Sequence, residues 1–146
     1  MGFKFPYQKI VNLKKNEKTQ AEWLLARALE NVKEEERSLE ALLDRQQGQF
    51  ARLSQASEQS APIYEIRMIQ GYIEALEKRI EGKRRDLERA RRDAEEKQRA
   101  LVEKMREEKI WMKAREKAFA KFSAALLKRE QNEIDEIAGM RHIAER

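Results

Sequence analysis

From Ile66 to Leu126 the chain carries one apolar stripe that no proline interrupts. Ile66, Ile69, Ile73, Leu76, Ile80, Leu87, Ala90, Ala94, Leu101, Met105, Met112, Phe119, Phe122 and Leu126 mark it, at steps of three, four or seven. That period is one face of a helix, and its length belongs to a coiled coil rather than a globular helix. At ~1.5 Å per residue, roughly 60 residues make a rod of about 90 Å. Such a rod cannot enclose a substrate. It touches partners along its sides and at its ends, which points to a structural or coupling role.

Composition agrees. Of 146 residues, 40% are charged and only 7% aromatic, with five Gly and two Pro. Helical periodicity in a chain rich in Ala, Glu, Lys, Leu and Arg marks a long helix or coiled coil, which buries a narrow seam. The expectation is a single coiled-coil hairpin over residues 1–146. The absence of Cys excludes disulfides and thiolate chemistry and fits a reducing cytoplasm. The charged opening MGFKFPYQKIVNLKK does not read as a secretory signal. No stretch approaches the ~20 apolar residues that span a bilayer. The reading is therefore a soluble intracellular protein. With 32 basic and 27 acidic residues well mixed, the net charge of +5 selects no partner class.

A first helix is predicted over about residues 7–57. Ile10, Leu13, Ala21, Leu24, Ala28, Val32, Leu39, Leu42, Phe50 and Leu53 supply its apolar positions. Its seam is patchy, with Glu17, Glu35 and Gln46 where a strong coiled coil would carry Leu or Ile. Pro6 sits near its first turn, where a missing N–H costs little. Small polar residues and Pro62 then mark a turn at about residues 58–61. Ser60 is the expected N-cap of the second helix, with Pro62 in its first turn and Glu65 behind. That helix is predicted over about residues 62–140. Its outer face carries Glu74/Lys78, Glu81/Arg85, Asp93/Lys97 and Glu95/Arg99, pairs four apart that each add a few tenths of a kcal/mol.

Two helices with a short turn fold back as an antiparallel hairpin, so the fold class is all-α with the second helix longer than the first. Ile10 then lies opposite residue 110 or so. About 30 further residues of the second helix, roughly 45 Å, overhang the first. The overhang keeps an apolar side in Trp111, Met112, Phe119, Phe122, Leu126, Leu127, Ile134 and Ile137. Such a face on a bare helix is an interaction surface. The seam is expected to move from the heptad set Ile66–Leu101 onto Met105, Met112, Phe119 and Leu126, because a straight helix drifts ~20° per heptad.

Enzyme chemistry finds no footing. One His (His142) and no Cys cannot build a His-based triad or a His/Cys metal site, and there is no GxxxxGK[ST] loop. The expectation is no enzyme, no cofactor and no metal. Lys83, Arg84, Arg85, Arg89, Arg91 and Arg92 crowd ten positions. They lie in mid-seam without neighbouring aromatics, which favours a solvated face over a nucleic-acid contact. Phe3, Lys4, Phe5, Tyr7, Lys9, Lys14, Lys15 and Lys18 suit either an anionic membrane surface or an acidic protein. Phe50, Tyr64, Met68 and Tyr72 gather near the predicted bend. They form either an apolar plug or a docking knob, since Tyr, Met and Phe favour interfaces.

Three phrases in order carry a family resemblance. FKFPYQKIVNLKKNEKTQAEWLLARAL at the start, YEIRMIQGYIEALEKRI behind the turn and KREQNEIDEIAGMRH near the end are similar to the FliJ family of flagellar type III export proteins. The likeness covers essentially the whole chain. Gln131, Ile134, Asp135 and Glu136 match a recurrent phrase of that family.

The resemblance implies a cytoplasmic export component, peripheral on the membrane at the flagellar base through its partners. It implies a monomeric two-helix coiled coil similar to the γ shaft of rotary F-type ATPases. Its terminal end would enter the hexameric export ATPase. Ile10, Leu13, Trp111, Met112, Phe119, Phe122, Leu126 and Ile134 would meet the ATPase. Phe50, Tyr64, Met68 and Tyr72 at the tip would meet the membrane-embedded export gate and the export chaperones. Nucleic acid is not an expected partner. The rival readings are the equivalent stalk of a virulence type III system and a generic coiled-coil scaffold.

Overall fold

A computed structural model of the chain describes residues 2–144. Helix α1 spans Gln8–Glu58 and helix α2 spans Ile63–Ala144, and there is no strand among the described residues. At 51 and 82 residues, they make the all-α helical hairpin with a longer second helix that the periodicity predicts. No proline lies inside either helix, and the glycines within them leave every backbone φ negative.

The turn differs from the sequence reading by a change of role at Ser60. Ser60 does not cap α2. It adopts φ 52°, the left-handed region, and closes α1. The Ala61 N–H donates to the Ala56 carbonyl at 2.9 Å and the Ser60 N–H to the Ser57 carbonyl at 3.3 Å. These are the paired bonds of a Schellman ending, with Ser in the place usually held by Gly. The accompanying apolar contact is Ala61 against the cluster of Ala56, Ile69 and Ile73. Pro62 stands one position before α2, where its carbonyl accepts from the Glu65 and Ile66 N–H groups. Its missing N–H is no loss at that position.

The chain divides into two compact units, Ala21–Leu101 and Met1–Gln20 with Val102–Arg146. The first unit holds the turn. Ala56, Ile69 and Ile73, with Leu53, Ala61 and Ile66 against them, close its end. Leu42, Leu76 and Ile80 pack with Leu39 and Leu43 further along. Leu87, Ala90 and Ala94 continue the buried face of α2, and Ala28 that of α1. Glu35, in its apolar-phase position, is half-buried and accepts from Lys83 Nζ at 3.2 Å. Lys83, Arg89, Arg91 and Arg92 of the basic run pair with Glu35, Asp86, Glu36 and Glu88, so most of that run's charge is matched inside the chain. Of the pairs four apart, Asp93–Lys97 and Glu95–Arg99 form at 3.6 and 3.9 Å, whereas Glu74/Lys78 and Glu81/Arg85 do not.

In the other unit, α1 residues 8–20 lie antiparallel to α2. Lys14 meets Glu107 and Glu17 meets Lys104, which sets Ile10 opposite position 111 as the hairpin arithmetic predicts. Val11 is fully buried there. The seam on α2 departs from expectation. Met105 is 51% exposed and Phe119 and Leu126 also face solvent. Met112 is half-buried as expected, and Lys104, Glu107, Glu108, Trp111, Ala114, Ala118 and Phe122 share the half-buried positions with it. At Met105 the reason is the facing helix, where Lys14, Glu17 and Lys18 require charged partners rather than methionine; Phe119 and Leu126 lie past the start of α1 and have no α1 residue opposite them.

Candidate functional site

The unit that holds both ends of the described chain has an electrostatic seam and an apolar surface. In the seam, Lys14 Nζ donates to Glu107 at 3.2 Å and Lys104 Nζ to Glu17 at 3.1 Å. Lys18 Nζ lies 3.2 and 3.1 Å from the two oxygens of Glu108. Lys104 also lies 3.6 Å from Glu107, and Lys14 3.5 Å from Glu17, which links four charges into one network. The hydrogen bond from Lys104 holds the Glu17 carboxyl below its ordinary value against the opposing effect of burial, with the charges of Lys104 and Lys14 adding. The same hydrogen bond raises Lys104, with the charges of Glu107 and Glu17 adding.

These directions fix a pH window. Glu17 is depressed, so its contribution is present above the unfolded carboxylate value near pH ~4.3 and is lost as pH falls through its lower folded value. Lys104 is raised, so its contribution is present below the unfolded value near pH ~10.4 and is lost as pH rises through its higher folded value. Glu17→Gln therefore flattens the acid limb of thermal stability. Melting of both proteins from pH 7 to 3 by circular dichroism tests this, and parallel curves would refute it.

The apolar surface lies where α1 begins. Residues 2–7 precede α1 and lay aromatic rings against α2. Phe3 sits 5.3 Å from Phe119, edge to face, and 5.5 Å from Phe122, while Tyr7 sits 5.7 Å from Trp111. Such pairs contribute about 0.5–1.5 kcal/mol each beyond their burial. Phe5 in turn packs on Tyr7 at 5.7 Å. Arg115 Nε donates to Gln8 Oε1 at 2.9 Å at the helix start.

This segment corrects the extent of the bare overhang. Ile10, Trp111, Met112 and Phe122 are half-buried in the chain's own packing rather than free. Leu13, Phe119, Leu126 and Ile134 remain exposed, at 53, 52, 42 and 59%. Leu127, Ile137, Met140 and Ile143 are exposed with them, and Ile143 lies past residue 140, where the expected helix stops. Trp23 on α1 was also passed over, because it lies off the seam period, and it stands open to solvent. The covering role of Phe3 and Tyr7 was legible only as aromatics four apart, since helical periodicity says nothing of a segment outside a helix.

At the turn, Phe50, Tyr64, Met68 and Tyr72 are all exposed. They stand outside the cluster of Ala56, Ile69 and Ile73 that closes the hairpin. Met68 and Tyr72 border a shallow groove with Gln49, Arg52 and Glu65, and Ile69 forms its floor. The six residues offer apolar contact with a rim of both charges, and no nucleophile beside a base.

Among the described residues no cluster of His, Asp and Glu could hold a metal ion, and no helix is long and apolar enough to cross a membrane. The model of one protein family, described as the flagellar FliJ protein, matches residues 3–146. The chain belongs to the FliJ family. The match takes in Phe3 at one end and the exposed end of α2 at the other. FliJ membership makes it a coiled-coil protein related to flagellar export, a structural component rather than a known enzyme. Neither the curated proteins nor the solved structures contain a significant match to this FliJ-family chain.

Proposed function

We propose that the chain is a non-enzymatic coupling shaft of the flagellar type III export apparatus. Its terminal end binds within the hexameric export ATPase through Leu13, Phe119, Leu126 and Ile134, with Ile10, Trp111, Met112 and Phe122 supporting that surface from beneath. Its tip, through Phe50, Tyr64, Met68 and Tyr72, contacts the membrane-embedded export gate and the export chaperones. It works in the cytoplasm at the flagellar base as a monomer. The observation that carries this reading is an apolar stripe that outruns its internal partner: Leu126, Leu127, Ile134 and Ile137 are exposed on α2 beyond any contact with α1. An exposed stripe of this length marks a protein contact.

ATP hydrolysis by the export ATPase, at fixed enzyme concentration, rises when the chain is added. In the same preparation, Tyr64→Ala with Tyr72→Ala weakens capture of the export gate while leaving that stimulation intact. No stimulation by the native chain removes the shaft reading, and undiminished gate capture by the tip variant removes the tip from it.

A further inference from the structure

The exposed end of α2 is segregated by charge. Residues 113–129 carry Lys113, Arg115, Lys117, Lys121, Lys128 and Arg129 against Glu116 alone. Residues 130–136 carry Glu130, Glu133, Asp135 and Glu136 with no basic residue. Elsewhere on α2 charges of both signs pair, as Asp93–Lys97 and Glu95–Arg99 do, and even the basic run pairs through Lys83 and Arg91 with Glu35 and Glu36 of α1. Here, among the described residues, none of these side chains forms an ion pair; Arg115 bonds to Gln8 and Asp135 to Gln131, both neutral. The helical period sets Lys113, Lys117, Lys121 and Lys128 on the side away from Phe119 and Leu126, with Arg115 and Arg129 beside those apolar residues, and spreads Glu130, Glu133, Asp135 and Glu136 around the axis. The acidic group is thus a belt around the axis, and the basic group a broad band centred on the side away from the apolar stripe. Lys4, beside Phe3, adds to the basic belt where Phe3 meets Phe119 and Phe122.

From these placements we infer that the two belts set how deep α2 sits in its partner: the partner is a protein surface with an apolar lining that carries an acidic ring followed, about 18 Å further in, by a basic ring. The inference rests on the proposed ATPase contact and names the chemistry of its lining. The two groups abut at Arg129 and Glu130, but their centres lie about 18 Å apart, beyond the ~8–10 Å over which charges act at ordinary ionic strength, so the centre of each group meets its own ring. Only one depth matches both signs. A displacement of one belt length sets like against like, which rejects the misplaced state. An anionic bilayer would suit the basic belt and its phenylalanines. Four carboxylates directly beyond the basic belt oppose that surface, and they favour a protein lining of alternating sign.

The test measures affinity of the purified chain for the export ATPase at about 50 and 300 mM salt, with vesicles of phosphatidylglycerol and phosphatidylcholine as the competing surface. Affinity of the native chain falls about tenfold or more across that range. Reversal of the basic belt (Lys117→Glu, Lys121→Glu, Lys128→Glu) and of the acidic belt (Glu133→Lys, Glu136→Lys) each weaken binding about tenfold at low salt, with helicity unchanged. Leu126→Ala weakens binding without altering the salt slope. Equal, salt-independent binding by native and reversed chains overturns the belts and leaves the ATPase contact standing. No binding by the native chain overturns both. Capture by anionic vesicles in preference to the ATPase overturns the protein lining.

Discussion

A chain carrying Leu126→Asp and Ile134→Asp loses stimulation of the export ATPase altogether, while it stays helical and melts within a few degrees of the native protein. Both side chains are exposed on α2 beyond its contact with α1, at 42 and 59%. Asp there costs the helix only its propensity, about 0.5 kcal/mol per position. In a complex each position loses the ~1.5–3 kcal/mol of burying a Leu or Ile and adds the desolvation of a carboxylate. Two such losses amount to about 5 kcal/mol or more, beyond a thousandfold in affinity. Phe122 is the wrong position for this experiment, because its ring packs on Phe3 and a change there disturbs the chain's own structure. Retained stimulation by the double variant would place the ATPase contact elsewhere.

The largest effect on folding comes at Leu76. Its side chain is 0% exposed and packs with Leu42 and Ile80. Leu76→Asp removes the transfer energy of a buried Leu and places an unpaired carboxylate in that cluster, a loss of about 5 kcal/mol. Leu76→Ala costs about 3 kcal/mol by cavity formation. Thermal melting followed by circular dichroism should show the Asp variant without a cooperative transition at temperatures where the Ala variant still folds. An Asp variant that melts within a few degrees of the native protein would show that the cluster is dispensable.

The fold was legible because helix and seam share one signal. Ile69, Ile73, Leu76, Ile80 and Leu87 repeat at the period of a helix face, and the same residues are buried. Ser60 was misassigned because Ser suits both an N-cap and, less often, a left-handed C-terminal position, and only the bonds to Ala56 and Ser57 separate the two. The seam departs at Met105 because the facing helix offers Lys14, Glu17 and Lys18, and at Phe119 and Leu126 because no α1 residue faces them. Periodicity in one helix carries no information about its partner's charges. The surface of α2 was legible at Leu126 and Ile134, which keep the stripe past the end of α1. Its cover at Phe3 and Tyr7 was not, because contacts from a segment outside any helix leave no period to follow.

The charged stretch of the seam has a consequence for how the pair of helices opens. Around Leu76 the helices are joined by apolar contact that salt leaves untouched. Along Lys14, Glu17, Lys18, Lys104, Glu107 and Glu108 they are joined by half-exposed ion pairs that salt screens. Local opening therefore begins in that stretch, with amide protons there exchanging well before those at Ile73 or Leu76. A partner that needs to part the first turns of α1 from α2 meets the least resistance there, and the turn stays closed while it does so.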